Sequence, residues 1–328
     1  MSSLRRRERC VQRESEVKIL ASRRFPGPAW DELLDVEYYD GPLDGPRPGV
    51  EALAVVGERI DDTTLDLFPD LRLVANYGVG YDDIDVEASA ARGIAVTNTP
   101  GVLDAATADL TMALMLAVRR RVVEGDAFVR EKRWGSEWVA TKLLGDEVSG
   151  ATLGIVGLGR IGRAVARRAH AFDMRILYTK RRRLSSDDER DLGVEHRELD
   201  DLLSDSDVVT LHVPLGSETE RLIDRSKLAL LRPGACLINT ARGAIVDEPA
   251  LVEALVAGRI RAGLDVFADE PHVPPELLGL QNVVLTPHVG SATQATREAM
   301  TRVLVDNLLA AERGEPLPNP VTTTATLS

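Results

Sequence analysis

The sequence predicts an α/β protein that contains two doubly wound parallel sheets. Short apolar runs alternate with helical patterns through both halves of the chain, as they do in successive βαβ units. The length of 328 residues favours two domains. In addition, Gly157, Gly159 and Gly162 have the spacing G-x-G-x-x-G between an apolar run and a helical pattern, which is the context of a nucleotide-binding turn.

This glycine segment predicts a dinucleotide site. Residues 153–156 are typical of a buried strand, and the pattern after residue 160 is helical. The first glycine permits the tight turn, the second lets a pyrophosphate approach the backbone, and the third lets the helix lie close to the strand. The helix N-terminus then offers free N–H groups to the phosphates. The cofactor contacts predicted here are Gly157, Leu158, Gly159, Arg160, Ile161 and Gly162.

Composition and charge exclude several classes of protein. The net charge of −12 argues against a nucleic-acid partner, which selects basic surfaces. Cys10 and Cys236 are far apart and lack ligand spacing, so we expect no metal site and a reducing, cytoplasmic compartment. No apolar run is long enough to span a membrane. The arginines at residues 5–7 precede no apolar segment, so we expect a solvated, frayed tail there and no secretory signal.

The N-terminal part predicts a small α/β domain. Helical stretches at residues 30–34 and 63–67 separate apolar runs that we interpret as parallel strands. These strands are predicted at residues 17–20, 52–56, 71–75 and 93–97.

The segment Gly78-Val79-Gly80 follows the third of these strands and leaves two interpretations open. Its successive N–H groups could converge on an anion such as a carboxylate. Alternatively, it could be a plain turn between a strand and a helix.

A long helix is predicted from residue 104 to about residue 130. Its central part, residues 110–118, is apolar nearly all round, which indicates burial in a core or against a second subunit. Trp134 and Trp138 follow in a predicted loop, where packing is a simpler explanation than an interface.

The second half predicts a larger sheet around the glycine segment. Residues 248–256 and 294–313 predict helices, and Gly258 marks the end of the first of these. Further strands are predicted at residues 174–178, 207–214, 236–240, 261–266 and 282–286.

The strand at residues 174–178 ends where the cofactor is selected. An acidic residue at this position would bind a ribose 2′-hydroxyl and repel the 2′-phosphate of NADP. The sequence instead has Thr179 followed by four cations, Lys180, Arg181, Arg182 and Arg183. These cations suit a phosphate, although a run of charges is also typical of a solvated surface.

Arg242, Glu270 and His288 follow three successive late strands and indicate catalysis. Reduction of a 2-oxo acid needs a cation that orients the carboxylate and polarises the carbonyl, and an acid that protonates the oxygen. Arg242 suits the first task and His288 the second. Glu270 can bind the other ring nitrogen of His288 and favour the protonated imidazole.

Each of these residues also has a plain structural explanation. Arg242 could form a surface salt bridge, Glu270 could belong to a simple turn, and a lone histidine is more often structural than catalytic. His272 is the one rival for the acid role. The other histidines look structural: His170 near a helix end, His196 in a polar link and His212 packing beside the cofactor strand.

Together these motifs resemble those of the D-2-hydroxyacid dehydrogenases, from about residue 71 to residue 293. Within that family the chain is most similar to the glyoxylate and hydroxypyruvate reductases, on residues 99–103, 106–110, 134–138 and 177–183. Besides the two glycine segments, the family motifs are Asn98-Thr99-Pro100-Gly101, Asn239-Thr240-Ala241-Arg242-Gly243, Asp265-Val266-Phe267 with Glu270-Pro271, and Thr286-Pro287-His288.

The resemblance implies a catalytic site made of Arg242, Glu270 and His288. It implies that the backbone of Val79 and Gly80 binds the substrate carboxylate, with Arg242 and His288 also contacting the substrate. We expect no metal in this site, because no His, Cys or carboxylate cluster has ligand spacing.

The resemblance also implies further cofactor contacts. Asp265 would lie near the nicotinamide amide, and Val213 and Pro214 would lie beside the adenosine. The other residues implied are Thr107, Thr179, Lys180, Arg181, Arg182, Thr219, Thr240, Ala241 and Gly290.

Family anatomy implies the domain organisation. A Rossmann-type cofactor domain, residues 103–290, would be inserted in a smaller flavodoxin-like substrate domain of residues 1–102 and 291–328. A homodimer would form through the helix at residues 104–130, with Trp138 reaching toward the partner's substrate site. Residues 139–142 lack the proline and apolar pattern of the subgroup, which leaves the size of the substrate open.

We therefore predict an NADPH-preferring reductase that converts glyoxylate, hydroxypyruvate or a related 2-oxo acid to the D-2-hydroxy acid. An NAD-dependent D-2-hydroxyacid or phosphoglycerate dehydrogenase is the alternative, although the latter expects an acidic residue near Thr179 and often a regulatory domain. A formate dehydrogenase expects glutamine in place of Glu270. A nucleotide-sensing corepressor of the same fold, which binds a protein partner, is the alternative from another class.

Overall fold

The computed structural model describes residues 17–135 and 141–321. The described residues form two compact units, one made of residues 17–100 and 297–321 and the other of residues 101–135 and 141–296. Each unit is built on one parallel sheet, as the sequence predicts. Within the described residues, no helix is both long and apolar enough to cross a membrane.

The first unit has a five-stranded sheet. Its strands are β1 (Ile19–Ala21), β2 (Val36–Tyr38), β3 (Ala52–Val55), β4 (Leu73–Asn76) and β5 (Ala95–Thr97). Their order is β2-β1-β3-β4-β5, which is the flavodoxin-like order. Strand β2 was not predicted, because it is an edge strand without buried residues and so lacks an apolar run.

Short helices cover this sheet. A 3-10 helix spans Pro28–Glu32, and α1 (Asp62–Leu65) and α2 (Val86–Ala91) follow. The carboxylates of Asp61 and Asp85 accept the first N–H groups of α1 and α2 and so fix where these helices begin.

The second unit has a seven-stranded sheet. Its strands are β6 (Thr152–Val156), β7 (Arg175–Thr179), β8 (Glu195–His196), β9 (Val208–Leu211), β10 (Cys236–Asn239), β11 (Arg261–Leu264) and β12 (Val283–Leu285). Their order is β12-β11-β10-β9-β6-β7-β8, so the glycine strand β6 lies between β9 and β7. This is the Rossmann order with β12 as an additional strand, and the predicted fold class is confirmed.

Helices of the second unit pack against the larger sheet around two apolar cores. The helices of this unit are α3 (Asp104–Arg119), α4 (Val122–Arg130), which packs on α3, α5 (Arg160–His170), α6 (Ser186–Leu192), α7 (Leu199–Asp205), α8 (Arg225–Leu230) and α9 (Glu248–Val256). The last helix, α10 (Gln294–Glu312), begins in this unit and belongs to the first unit from Arg297 onward.

The prediction of one helix at residues 104–130 is wrong. The chain breaks between α3 and α4 at Arg121, whose left-handed backbone, with φ 52°, cannot continue an α-helix. Its guanidinium binds Glu124 at 2.7 Å and the Leu144 carbonyl at 3.3 Å. No glycine or proline marks the break, so the sequence gives no signal for it.

The apolar part of α3 is buried in the core of its own unit, against α5, β10 and β11. Apolar side chains of α4 and the segment after it are instead exposed. They are Val122, Val123, Val129, Trp134 and Leu144.

Candidate active site

Three neighbouring strands of the second unit carry the predicted catalytic residues. Strands β10, β11 and β12 are adjacent and parallel, so the loops after them leave the same edge of the sheet. Arg242 follows β10, Glu270 follows β11 and His288 follows β12. Ligands of open α/β sheets bind at this carboxyl edge.

His288 and Glu270 form a direct pair. Nδ1 of His288 lies 2.7 Å from Oε2 of Glu270, and Oε1 of Glu270 accepts the N–H of Phe267 at 3.0 Å. Burial alone would raise the pKa of Glu270, but the hydrogen bond and charge of His288, the Phe267 N–H and the charge of Arg242 together lower it. Glu270 is therefore a carboxylate at neutral pH, and it leaves Nε2 of His288 for a ligand.

Asp265 holds the loop that carries His288. Its carbonyl accepts the N–H of His288 at 2.8 Å, although the His288 backbone has a left-handed φ of 51°. Its carboxylate accepts bonds from the Thr286 hydroxyl at 2.6 Å and from the N–H groups of Val289 and Gly290, each at 2.8 Å. Burial raises the pKa of Asp265, and these donors oppose the shift. The sequence did not predict this role, since nothing in the motif shows what the carboxylate binds.

The loop after β10 is fixed by a buried amide. The side chain of Asn239 accepts the N–H of Ala241 at 3.0 Å and donates to the carbonyl of Arg242 at 2.8 Å. Nη1 of Arg242 donates to the carbonyl of Ala241 at 2.8 Å. Asn239, at the end of β10, thus fixes the backbone before and after the side chain of Arg242.

The other four histidines occupy different settings. Nε2 of His170 lies 2.6 Å from the Leu192 carbonyl, and His212 lies beside the Thr210 hydroxyl with its pKa lowered to about 3 by burial. His196 was predicted in a polar link, but it lies in β8 and packs against the ring of Tyr178. His272, the rival for the acid role, is exposed and lies 3.5 Å from Asp269.

The glycine segment has the shape that a dinucleotide requires. Gly157 has φ 97°, and a Cβ there would lie 2.6 Å from the carbonyl oxygen of His212. A Cβ on Gly162 would lie 2.3 Å from the Gly157 oxygen, so the helix approaches the turn closely. By contrast, a Cβ on Gly159 would meet no atom within 4 Å. The space in front of Gly159, at the start of α5, fits a pyrophosphate.

Four of the residues expected to contact the cofactor lie close to one another. A Cβ on Gly290 would be 3.3 Å from Oδ2 of Asp265 and 3.5 Å from Cγ2 of Thr107. The Thr111 hydroxyl donates to the Thr107 carbonyl at 2.8 Å and lies 2.9 Å from the Thr240 hydroxyl. The structure therefore brings Thr107, Thr240, Asp265 and Gly290 together, and it adds Thr111, which the sequence did not single out.

The four cations after β7 have different partners. Arg183 forms a bidentate ion pair with Glu189 at 2.8 and 2.9 Å. The sequence suggested that all four cations suit a phosphate, but Arg183 is not available to one. Glu189 also accepts the Tyr178 hydroxyl at 2.7 Å, and these bonds lower its pKa to about 2. Arg181 lies 3.2 Å from Glu218. Within the described residues, Lys180 and Arg182 form no ion pair.

The turn after β9 contains Val213 and Pro214, which are expected beside the adenosine, and Thr219, another expected cofactor contact. The Thr219 hydroxyl donates to the carbonyls of Pro214 at 2.6 Å and Gly216 at 3.2 Å, which closes the turn. Val213 is partly buried, with its Cγ1 close to where a side chain at Gly157 would lie.

In the first unit, two amides shape the loop at residues 78–80. The Asn76 side chain donates to the Gly80 carbonyl at 2.7 Å, and the Asn98 side chain donates to the Val79 carbonyl at 2.9 Å. Among the residues described, none accepts the N–H groups of Val79 and Gly80. The loop thus has its carbonyls engaged and its donors available, as an anion site requires.

Of the two tryptophans, Trp134 is 72% exposed. Trp138 and residues 139–140 lie outside the described residues.

Sequence comparison decides the family. A family model described as the NAD binding domain of D-isomer specific 2-hydroxyacid dehydrogenases matches residues 112–290. The chain is 50% identical over 297 residues to the glyoxylate reductase of Pyrococcus furiosus, which covers 87% of this chain and 88% of the relative. The chain belongs to the D-isomer specific 2-hydroxyacid dehydrogenase family.

Further relatives of this dehydrogenase agree. The glyoxylate reductase of Pyrococcus horikoshii is 53% identical over 271 residues, or 81% of each chain. A solved structure of a protein from Thermus thermophilus has a TM-score of 0.85 at 47% identity and covers 93% of this chain and 100% of its own. The NADPH-dependent glyoxylate/hydroxypyruvate reductase of Sinorhizobium meliloti, solved with NADP and malonate, has a TM-score of 0.83 at 37% identity. It covers 94% of this chain and 97% of its own.

Membership confirms the predicted class of enzyme. The dehydrogenase is an NAD(P)-dependent oxidoreductase that reduces a 2-oxo acid. In the described part of the chain, no three His, Cys, Asp or Glu side chains cluster in a way that could hold a metal ion.

Proposed function

We propose that this dehydrogenase is an NADPH-preferring reductase that converts glyoxylate, hydroxypyruvate or a similar small 2-oxo acid to the D-2-hydroxy acid, with His288 as the general acid. The single observation that carries the proposal is the contact of 2.7 Å between His288 and Glu270 at the carboxyl edge of the sheet. The similarity to glyoxylate reductases supports the substrate class.

When bound, a reduced nicotinamide supplies a hydride to the carbonyl carbon of the substrate. His288 donates the proton from Nε2 to the oxygen that becomes the hydroxyl. Glu270 binds Nδ1 and so holds the ring in one orientation, with Nε2 left for the substrate. Because the side chain of His288 is half exposed, solvent can restore its proton after each turnover.

Arg242 and the loop at residues 78–80 have the chemistry to bind the substrate. The guanidinium can bind a carboxylate and polarise the neighbouring carbonyl oxygen. In the first unit, the available N–H groups of Val79 and Gly80 also suit a carboxylate. We therefore assign the cofactor to the second unit and this carboxylate loop to the first.

The preference for NADPH is proposed from the residues after β7. Thr179 is the last residue of β7, and Lys180, Arg181 and Arg182 follow it, at the position where NAD-binding folds carry an acidic residue. Lys180 and Arg182 form no ion pair in the described structure, so they can bind a 2′-phosphate without losing a partner.

A homodimer is proposed through the exposed apolar residues of α4 rather than through α3. Val122, Val123 and Val129 are each more than half exposed, and such patches commonly mark interfaces. Val123→Glu should produce a monomer in sedimentation velocity. Leu278→Glu, at an exposed leucine of a different surface segment, should leave the dimer unchanged.

A rate panel tests the proposed activity. Purified protein is given glyoxylate, hydroxypyruvate, pyruvate, 2-oxoglutarate and 3-phosphohydroxypyruvate, each with NADPH and with NADH. We expect the highest kcat/KM for glyoxylate or hydroxypyruvate with NADPH. A preference for NADH with the phosphorylated substrate would favour the phosphoglycerate dehydrogenase alternative. Nucleotide binding without turnover of any 2-oxo acid would contradict the proposal.

A further inference from the structure

One ion pair crosses the predicted adenosine site. Arg181 follows β7 and Glu218 follows β9, and these two strands lie on either side of β6, which carries the glycine segment. Nη1 of Arg181 lies 3.2 Å from Oε2 of Glu218. The pair therefore joins the two loops that border the dinucleotide turn.

We propose that Glu218 is a specificity-determining residue that competes with the 2′-phosphate of NADPH for Arg181. This inference rests on the proposed preference for NADPH, and it identifies Glu218 as a residue that weakens that preference. A phosphate carries more charge than a carboxylate and presents more acceptor oxygens, so it can displace Glu218 from the guanidinium. The 2′-hydroxyl of NADH carries no charge and leaves the pair intact.

The surroundings limit the competition to Arg181. Arg183 is held by Glu189, which the Tyr178 hydroxyl also binds, and this anchors the far end of the basic loop. The Leu184 N–H donates to the same Tyr178 hydroxyl at 3.0 Å. Arg181 and Glu218 are instead 89% and 75% exposed, so their side chains can separate without disturbing the core.

The expected effect is modest. Exposed ion pairs stabilise weakly, so removal of the competitor should tighten binding of a 2′-phosphate about two- to fivefold. Binding of a nucleotide without this phosphate should not change. Removal of any carboxylate near the site would slightly favour binding of an anionic nucleotide. The control must therefore remove one negative charge from a residue close to Glu218. Glu220 is exposed in the same turn and forms no ion pair within the described residues.

The test is equilibrium binding of adenosine 2′,5′-bisphosphate and of AMP by calorimetry. Glu218→Gln should lower the Kd of the bisphosphate about two- to fivefold and leave that of AMP unchanged. Glu220→Gln should leave the Kd of the bisphosphate and the Kd of AMP close to their wild-type values. In the Arg181→Gln background, Glu218→Gln should have no effect, because the competition requires the guanidinium.

Three results would overturn the inference: an unchanged Kd in Glu218→Gln, an equal gain in Glu220→Gln, or a gain that survives in the Arg181→Gln background. These results are independent of turnover. If the wild-type protein binds NADPH no more tightly than NADH, the proposed cofactor preference fails. If the wild-type preference holds while Glu218→Gln has no effect, only this inference fails.

Discussion

The Glu270 carboxylate binds both Nδ1 of His288, at 2.7 Å, and the peptide N–H of Phe267, at 3.0 Å. One acidic side chain thus joins the loop after β11 to the loop after β12. The orientation of the imidazole and the position of its second nitrogen both depend on this contact.

Glu270→Gln should lower kcat for reduction. Glutamine keeps most of the shape but is uncharged, so the charged contact with Nδ1 of His288 is lost and the ring is held less firmly. At neutral pH we expect kcat to fall about tenfold or more. The measurement is kcat at pH 7 with glyoxylate and NADPH. Asp269→Asn removes a neighbouring exposed carboxylate and should keep the wild-type kcat. A wild-type kcat in Glu270→Gln would show that the contact has no role in the reaction.

Asp265→Asn should loosen the loop that carries His288. An amide has one acceptor oxygen where the carboxylate has two, and its NH2 group would face the N–H donors of Val289 or Gly290. We expect the free energy of unfolding to fall by about 1–3 kcal/mol and kcat to fall, while binding of adenosine 2′,5′-bisphosphate is kept. Chemical denaturation and the same kinetic assay measure these effects, with Asp269→Asn again as control. Wild-type stability and kcat in Asp265→Asn would refute the positioning role.

Asn76→Ala should raise the KM for the 2-oxo acid. The Asn76 amide binds the carbonyls of Gly78 and Gly80 at 3.3 and 2.7 Å, and the proposed carboxylate loop depends on this arrangement. Loss of this arrangement should raise the KM for glyoxylate by about tenfold, with the KM for NADPH unchanged. Asn307→Ala removes another buried amide of the same unit and serves as control for general destabilisation. Equal KM values in the two variants would argue against a carboxylate loop.

His212 should make stability depend on pH. Burial lowers its pKa to about 3 in the folded protein, compared with about 6.5 in an unfolded chain. The unfolded state therefore binds more protons between these values, and the free energy of unfolding falls as the pH drops from about 6.5 toward 3, by up to about 1.4 kcal/mol per pH unit. In denaturation at pH 5 and pH 7, His212→Gln should show a smaller difference than the wild type. His272→Gln, at an exposed position, should show the wild-type difference. If His212→Gln shows the same difference in unfolding free energy between pH 5 and pH 7 as the wild type, His212 is not the source of the pH dependence.

Local patterns were sufficient to predict the glycine turn and every strand except β2 and β8. The strands of both sheets are mostly buried, and Gly157 and Gly162 are required by close backbone contacts that any sequence of this fold must satisfy. Arg242, Glu270 and His288 each follow a strand in the sequence, and this was sufficient to predict that they lie at one edge of one sheet.

Features that depend on tertiary contacts were not predictable. The break at Arg121 depends on Glu124 and on a carbonyl of a later loop, and β8 forms by pairing two polar residues with β7. The engagement of Arg183 by Glu189 and the bonds of Asp265 likewise arise between side chains whose sequence neighbours give no sign of them.

The most direct test of the central claim is the turnover of His288→Gln with glyoxylate and NADPH. Because glutamine cannot donate a proton as an acid, kcat should fall by about 10²–10⁴-fold, while the Kd for NADPH stays within about twofold of the wild-type value, since no cofactor phosphate contact is removed. A variant that turns over near the wild-type rate would contradict the assignment of His288 as the general acid.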